Sequence, residues 1–192
     1  MKAGYAEPSP GSRQKARISM ETQFEGFETA RLRVRPWPTE TAPAAAAELA
    51  RLLTPPVLAH LPETMQLSAG PGAASDWIAA RRAESTLCAI QGRDSGALLG
   101  LLILAEDPAP DTPPTLHLGY LLGEDHWGRG YATELVCGLV ETLRPAAPLR
   151  LIGGVGAGNP ASARVLRKAG FRPAAEQAAP DTEVFTMLLP GP

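Results

Sequence analysis

The chain has 192 residues, 44% of them hydrophobic, and a formal net charge of −2. That length suits one domain of moderate size plus a tail, and the near-neutral charge carries no electrostatic footprint of a nucleic-acid binder. No apolar run approaches the roughly 18 residues that span a membrane, and the N-terminus lacks the apolar stretch of a secretory signal, so no membrane role is expected and a reducing cytoplasm is the expected compartment.

Residues 1–23 are polar, mixed in charge and poor in large apolar side chains, and read as a disordered tail ahead of a domain over 24–192. Translation starts at Met1 or Met20. "TARLRVRPW" (Thr29–Trp37) alternates Leu32 and Val34 with arginines, as a half-buried strand does. Thr39 is placed to cap a helix over "ETAPAAAAELARLL", with Glu40 in its first turn. "TPPVLAHLPETMQLSAGPG" reads as a long irregular segment. "AASDWIAARRAES" reads as a helix with Ser75 or Asp76 near its cap. "TLCAIQG" and "GALLGLLILAE" are strands joined by an "RDSG" hairpin turn, and "DPAPDTPPT" is a proline-rich loop. "LHLGYLLG" is a strand, and "YATELVCGLVETLR" is a helix with apolar Leu135, Leu139, Val140 and Leu143 at helical spacing. "LRLIGGVGA" is a strand, "PASARVLRKAG" a helix, and "FRPAAEQ" and "EVFTMLL" are closing strands. An antiparallel middle followed by alternating strands and helices predicts an α/β (α+β) domain around one central mixed sheet. Cys88 and Cys137 sit in apolar runs and read as two buried free thiols. With His60, His117 and His126 they offer no zinc-site spacing, so no metal is expected. Trp37 and Trp77 read as packing residues.

"WGRGYATE" joins a strand to a helix. Helix N-termini carry unpaired N–H groups and a positive dipole end, and glycines let backbone approach an anion closely. Gly128 and Gly130 clear the space, the N–H groups from Arg129 through Thr133 can converge, and Arg129 adds charge. By itself the pattern is more often that of a simple turn. A P-loop string is absent. A Gly-x-Gly-x-x-Ala string exists at Gly156, Gly158 and Ala161, with Glu176 further on. Too little chain follows it to complete a dinucleotide-binding unit, so nicotinamide binding is rejected.

"HLGYLLGEDHWGRGYATE" resembles the acetyl-CoA segment of the GNAT N-acetyltransferases, in the branch of the ribosomal-protein N-terminal (Rim-type) enzymes. "NPASARVLRKAGF" (Asn159–Phe171) is similar to that branch's second motif, and "TARLRVRPW" to its first strand. Trp127 stands where the superfamily pattern has Gln or Arg. The resemblance spans nearly the whole chain from Thr29. It implies a GNAT-like domain whose central sheet is splayed at the acetyl-CoA strand by a bulge, flanked by helices. It implies acetyl-CoA as cosubstrate, with Trp127, Gly128, Arg129, Gly130, Tyr131, Ala132 and Thr133 around its pyrophosphate. Backbone of Tyr120, Leu121 and Leu122 would lie at the thioester, with Asn159 and Ser162 nearby, and Gly119 fits a break in the strand.

Acetyl transfer to an amine needs a base, an oxyanion partner and a proton for the departing thiolate. His117 stands where the branch often has Glu and is the candidate base; the competing reading is a strand histidine facing solvent. Many similar enzymes carry a tyrosine acid where this chain has Leu166, which leaves Ser162 or a water. Asn159 either caps its helix or bonds the cofactor region. Glu124, Asp125 and His126 read as a solvated turn, and His60 as a loop residue in a segment that lines the acceptor site of similar proteins. The expected activity is N-acetylation of a primary amine, a protein N-terminus or a small molecule, by direct attack in a ternary complex of a monomer or homodimer. The alternative is a non-catalytic acyl-CoA sensor or scaffold.

Overall fold

A computed structural model describes residues 24–38, 40, 42–107, 113–175 and 181–191. The tail over 1–23, the Thr39 cap, most of the "DPAPDTPPT" loop and Glu176 fall outside them.

The chain runs β1 (Phe27–Glu28), β2 (Leu32–Pro36), α1 (Pro43–Leu52), α2 (Pro55–Leu58), α3 (Ala73–Glu84), β3 (Thr86–Gly92), β4 (Leu98–Glu106), β5 (Thr115–Leu122), α4 (Tyr131–Leu143), β6 (Leu149–Gly156), α5 (Pro160–Lys168), β7 (Arg172–Pro173) and β8 (Thr182–Leu189). The strands form one eight-stranded sheet in the order β1-β2-β3-β4-β5-β6-β8-β7. Every neighbouring pair is antiparallel except β5 and β6. The mixed sheet flanked by helices is the expected α/β (α+β) architecture.

The strand expected over Thr29–Trp37 is β2, which starts later, at Leu32, and pairs with the short β1 ahead of it. The Thr29 hydroxyl accepts from the Leu32 N–H at 3.0 Å and closes a turn between β1 and β2. Pro43 sets the start of α1. Its ring holds Ala42 extended at φ −60°, ψ 141°, so Ala42 rather than Thr39 is the N-cap and Glu40 precedes the helix. The single turn α2 was legible only as irregular chain, because four residues carry no helical period. Helix α3 has Gly72 at φ 89° as its N-cap, and Ser75 and Asp76 lie near that cap in its first turn, as expected.

Two apolar layers cover the two faces of the sheet. Helices α4 and α5 pack Leu135, Leu139, Ala163 and Leu166 on one face, together with Cys88, Ile90, Leu116 and Leu118 from the strands. Helices α1 to α3 pack Leu49, Val57 and Ile78 on the other, with Leu87, Ala89, Leu101 and Leu121. Trp37 and Trp77 belong to this second layer. The continuous apolar runs of β3 and β4 follow from this two-sided burial. Cys137 corrects the thiol expectation: it lies on the outer face of α4 and is exposed, whereas Cys88 is buried. Burial pushes the Cys88 thiol up to about 12. A thiol reagent such as Ellman's is therefore expected to titrate one cysteine in the native protein and both after denaturation. Two fast-reacting native thiols would contradict the packing of Cys88.

Among the described residues no helix is long and apolar enough to cross a membrane, and no group of three His, Cys, Asp or Glu side chains is placed to hold a metal ion.

Candidate active site

Strands β5 and β6 pair only at Thr115↔Arg150, Leu116↔Leu151 and His117↔Ile152. Beyond that rung β5 stays with β4 as far as Gly100↔Leu122, and β6 stays with β8 as far as Gly156↔Thr182. The sheet thus opens in its middle. The opening needs no bulge in β5, whose register with β4 is unbroken from Leu116 to Leu122. This differs from the bulge implied by resemblance: β6 leaves along β8 instead. Gly100 permits the close β4–β5 fit, since a Cβ there would meet the Leu121 carbonyl oxygen at 2.1 Å.

The opening leads into a cavity of about 370 Å³. Its wall is formed by Val57 of α2 with His60 and Leu61 just after it, by Tyr120–Leu122 at the end of β5, by the turn into α4, and by the first turns and one face of α5. The turn begins with a 3₁₀ segment, Glu124–His126, after which the Trp127 indole N–H donates to the Leu122 carbonyl at 2.7 Å. Gly128 and Gly130 take φ of +70° and +79°, the left-handed region that only glycine enters freely. Gly130 is the N-cap of α4, and no side chain caps that helix. The first amide to find a helical acceptor is that of Glu134, on the Gly130 carbonyl at 3.1 Å. The earlier N–H groups of the turn are left for another acceptor, at the positive end of a 13-residue helix. That is the geometry of an anion cradle.

One carboxylate bolts this cradle to the start of the domain. Glu134 accepts from the Thr29 hydroxyl at 2.6 Å, the Arg31 amide at 2.7 Å and the Arg31 guanidinium at 2.6 Å. Arg31 in turn donates to the Arg129 carbonyl at 3.0 Å and stacks on the Tyr131 ring at 4.5 Å. Burial raises the Glu134 pKa, but these donors outweigh it and hold the carboxyl below the usual range. A depressed carboxylate contributes stability above its unfolded value, near 4.5, and loses it as pH falls through the folded value. Glu134→Gln is expected to lower stability at neutral pH by about 1–3 kcal/mol, as loss of hydrogen bonds to a charged group does. The deficit relative to wild type should shrink on acidification below pH 4.5. A deficit independent of pH would show that the charge is not what holds the turn.

The structure gathers Tyr120, Leu121, Leu122, Trp127, Gly128, Gly130, Tyr131, Ala132, Thr133, Asn159 and Ser162 on one cavity wall. Arg129 stays off it, reaching back to the Asp125 carbonyl at 3.4 Å and over the Tyr131 ring at 5.9 Å. His117 is also off the wall. It sits on the last paired rung before the opening, 46% exposed, with Nε2 3.4 Å from an Asp107 carboxylate oxygen. It shares its face of β5 with Gly119 and Leu121, the face that α1 to α3 cover further along. The Asn159 side chain accepts from the Ser162 N–H at 3.0 Å and so caps α5. Leu166 is buried against the sheet and offers no proton.

Among the polar residues of the wall, His126, Arg164 and Lys168 had no such role in the sequence reading, and His60 entered it only as a loop residue of a segment that lines the acceptor site of similar proteins. Arg164 and Lys168 are one turn apart on α5, a spacing readable in retrospect. His126 turns its Nδ1 into a buried place with no partner within the described chain. His60 stacks obliquely on Trp127 at 6.0 Å between ring centres, a contact across 67 positions that no spacing announces.

A family model described as "Acetyltransferase (GNAT) domain" matches residues 31–172. No curated protein sequence matches the chain. Among solved structures, the chain is similar to an acetyltransferase (GNAT family) from Bacillus anthracis, with 16% identity, a TM-score of 0.68, and 85% of this chain and 98% of that one covered. It is also similar to RimL, a ribosomal-protein alpha-N-acetyltransferase in complex with coenzyme A, with 16% identity, a TM-score of 0.63, and coverage of 84% and 96%. A third is the microcin self-immunity acetyltransferase MccE in complex with acetyl-CoA and AMP, with 15% identity, a TM-score of 0.64, and coverage of 85% and 96%. At these identities the likeness is one of fold.

Proposed function

The chain belongs to the GNAT acetyltransferase family, and on that premise we propose that it transfers an acetyl group from acetyl-CoA to a primary amine by direct attack in a ternary complex. The observation that carries this reading is the opening between β5 and β6, which runs into the uncapped, glycine-lined N-terminus of α4 within one cavity. An elongated donor with a thioester at one end and a pyrophosphate in its middle suits that shape. Two neighbours of the same fold are complexes with coenzyme A and acetyl-CoA.

In this reading the amides of the Gly128–Thr133 turn receive the pyrophosphate. The backbone of Tyr120–Leu122, unpaired on its β6 side, lies along the donor and turns an N–H toward the carbonyl oxygen as negative charge develops. Asn159 fixes the first turn of α5, and Ser162 gives a proton to the departing thiolate. His117 takes the amine proton, directly or through one water. A neutral imidazole that donates Nε2–H to Asp107 keeps its Nδ1 lone pair for that task. The acceptor enters past Val57, His60 and Leu61. Cys137, outside the cavity wall, has no part in the transfer, and no acetyl-cysteine is formed.

The test is thiol release from acetyl-CoA in the presence of an amine panel: short peptides with free N-termini, an amino acid, a polyamine and an aminoglycoside. Amine-dependent release with a matching acetylated product is expected. Acetyl-CoA binding without release for any amine would instead favour the non-catalytic sensor, a reading to which Leu166 in place of a tyrosine lends some weight.

A further inference from the structure

The phenol of Tyr120 and the hydroxyl of Ser162 lie 2.8 Å apart, across 42 residues of sequence, and both groups are on the cavity wall. They come from opposite sides of the opening. Tyr120 stands on β5, where Leu116, Leu118, Tyr120 and Leu122 share the face toward α4 and α5, all four belonging to or packed on one apolar layer. Ser162 stands in the first turn of α5, with its amide held by Asn159 at 3.0 Å. The side chain of Tyr120 thus reaches up from the unpaired half of β5 to meet the helix. We infer that Tyr120 and Ser162 form a two-member proton relay, in which Tyr120 supplies through Ser162 the proton that the leaving thiolate takes. This rests on the acetyltransferase reading above and adds to it a residue whose side chain that reading leaves idle.

The direction of the relay follows from acidity. A phenol is a far stronger acid than an aliphatic hydroxyl, so the O–H of Tyr120 donates and Ser162 Oγ accepts. That leaves the Ser162 proton free to point into the cavity. Tyr120 is largely withdrawn from water; burial raises its pKa, partly offset by the Ser162 bond, so the relay is fully protonated at neutral pH. Leu166, where many similar enzymes carry a tyrosine acid, is 1% exposed and packed against Gly153. A tyrosine from another element would then serve the same atom.

The balance is as follows. As the carbon–nitrogen bond forms and the carbon–sulfur bond breaks, the electron pair of the latter stays on sulfur. Sulfur takes the Ser162 proton, and Ser162 takes the Tyr120 proton. The proton lost by the amine returns to Tyr120 through solvent. The net change is one amide and one free thiol, with nothing oxidised. The Tyr120 side chain acts through Ser162 and has a positioning and relay role; the phenol does not itself touch the reacting atoms.

Tyr120→Phe removes one oxygen and keeps the ring. With acetyl-CoA and the best amine of the panel, kcat should fall about tenfold to a hundredfold, at or below the lower end of the roughly 10²–10⁴-fold worth of a direct general acid, because Ser162 keeps its own proton. Acetyl-CoA affinity, measured by calorimetry, should stay within about twofold of wild type. The double variant of Tyr120→Phe with Ser162→Ala should be no slower than Ser162→Ala alone, because members of one relay do not add. A proton inventory in mixed heavy water should be curved for wild type and linear for Tyr120→Phe. Ser162→Thr, which keeps a hydroxyl for Tyr120, should retain most of the rate, and it provides the test if Tyr120→Phe does not fold. Losses that multiply in the double variant, an unchanged proton inventory, a Ser162→Thr rate as low as that of Ser162→Ala, or a Tyr120→Phe rate within threefold of wild type would each overturn the relay. A wild-type protein that releases no thiol with any amine would instead overturn the acetyltransferase reading itself.

Discussion

Gly130→Val is expected to abolish the thermal stabilisation of the protein by acetyl-CoA. At a hundredfold excess over Kd a ligand of the folded state adds about 2.7 kcal/mol. For a protein of this size that is a shift of roughly 5–10 °C. Two effects act against the variant. Gly130 sits at φ +79°, where a β-branched residue is strained by about 1–3 kcal/mol. A Cβ at this position also projects beside the Arg31 guanidinium, 3.5 Å from its nearest nitrogen, at the mouth of the cradle. Gly130→Asn separates the two effects, because asparagine tolerates the left-handed region better while still adding a side chain. It should fold with a smaller loss of stability and still show little shift with acetyl-CoA. A folded Gly130→Val protein that binds acetyl-CoA as tightly as wild type would mean that the phosphate lies elsewhere.

His117→Ala is expected to lower turnover by about 10²–10⁴-fold at neutral pH, the usual worth of a general base, and to leave acetyl-CoA affinity close to wild type. The deficit should narrow as pH rises, because more of the amine is then already neutral. His117→Gln should be no better, since an amide takes no proton. Asp107→Asn should cost less, because the Nε2 bond at 3.4 Å is long and orients the ring rather than removing charge. A loss below about threefold would make His117 a solvent-facing strand residue. The base would then be sought at His60 or His126, the histidines that line the cavity. A parallel loss of acetyl-CoA binding would make His117 a structural residue at the last rung between β5 and β6.

What the sequence discloses here depends on distance along the chain. Strands β3 and β4 are legible because two-sided burial writes itself as apolar runs, and β5 because Leu116, Leu118 and Leu122 recur on one face of it. Helix α4 is legible because Leu135, Leu139, Val140 and Leu143 recur at its period. The glycine turn is legible as a motif, although its left-handed geometry and missing cap are properties of the fold. Helix starts are less so: Pro43 fixes the first turn of α1 with Ala42 as its N-cap, and the left-handed Gly72 caps α3 by backbone conformation, while Ser75 and Asp76 mark only its neighbourhood. Cys137 misled because an apolar neighbourhood in sequence includes the outer face of an amphipathic helix. The contacts that join the site, Tyr120 with Ser162 and Glu134 with Arg31, lie 42 and 103 positions apart and carry no spacing signal. All four residues fall inside the segments that resemble the family, and only the folded chain relates them to one another.

The parted strands also set a kinetic map for the backbone. Beyond the His117↔Ile152 rung, β5 and β6 each keep one partner and lose the other. Amides of Leu118–Leu122 that point into the gap have no ladder acceptor there, although they belong to the middle of the sheet. In deuterated solvent they should exchange at rates typical of loops, as a fast seam between two slow halves. Two open edges of this kind would invite another chain if they lay at the rim of a sheet. Here they lie inside the sheet, with β4 paired on one side and β8 on the other, and α5 lines the cavity at the opening. The unpaired backbone groups of the seam are thus set away from the sheet's outer strands, β1 and β7, where edge-to-edge pairing with another chain begins.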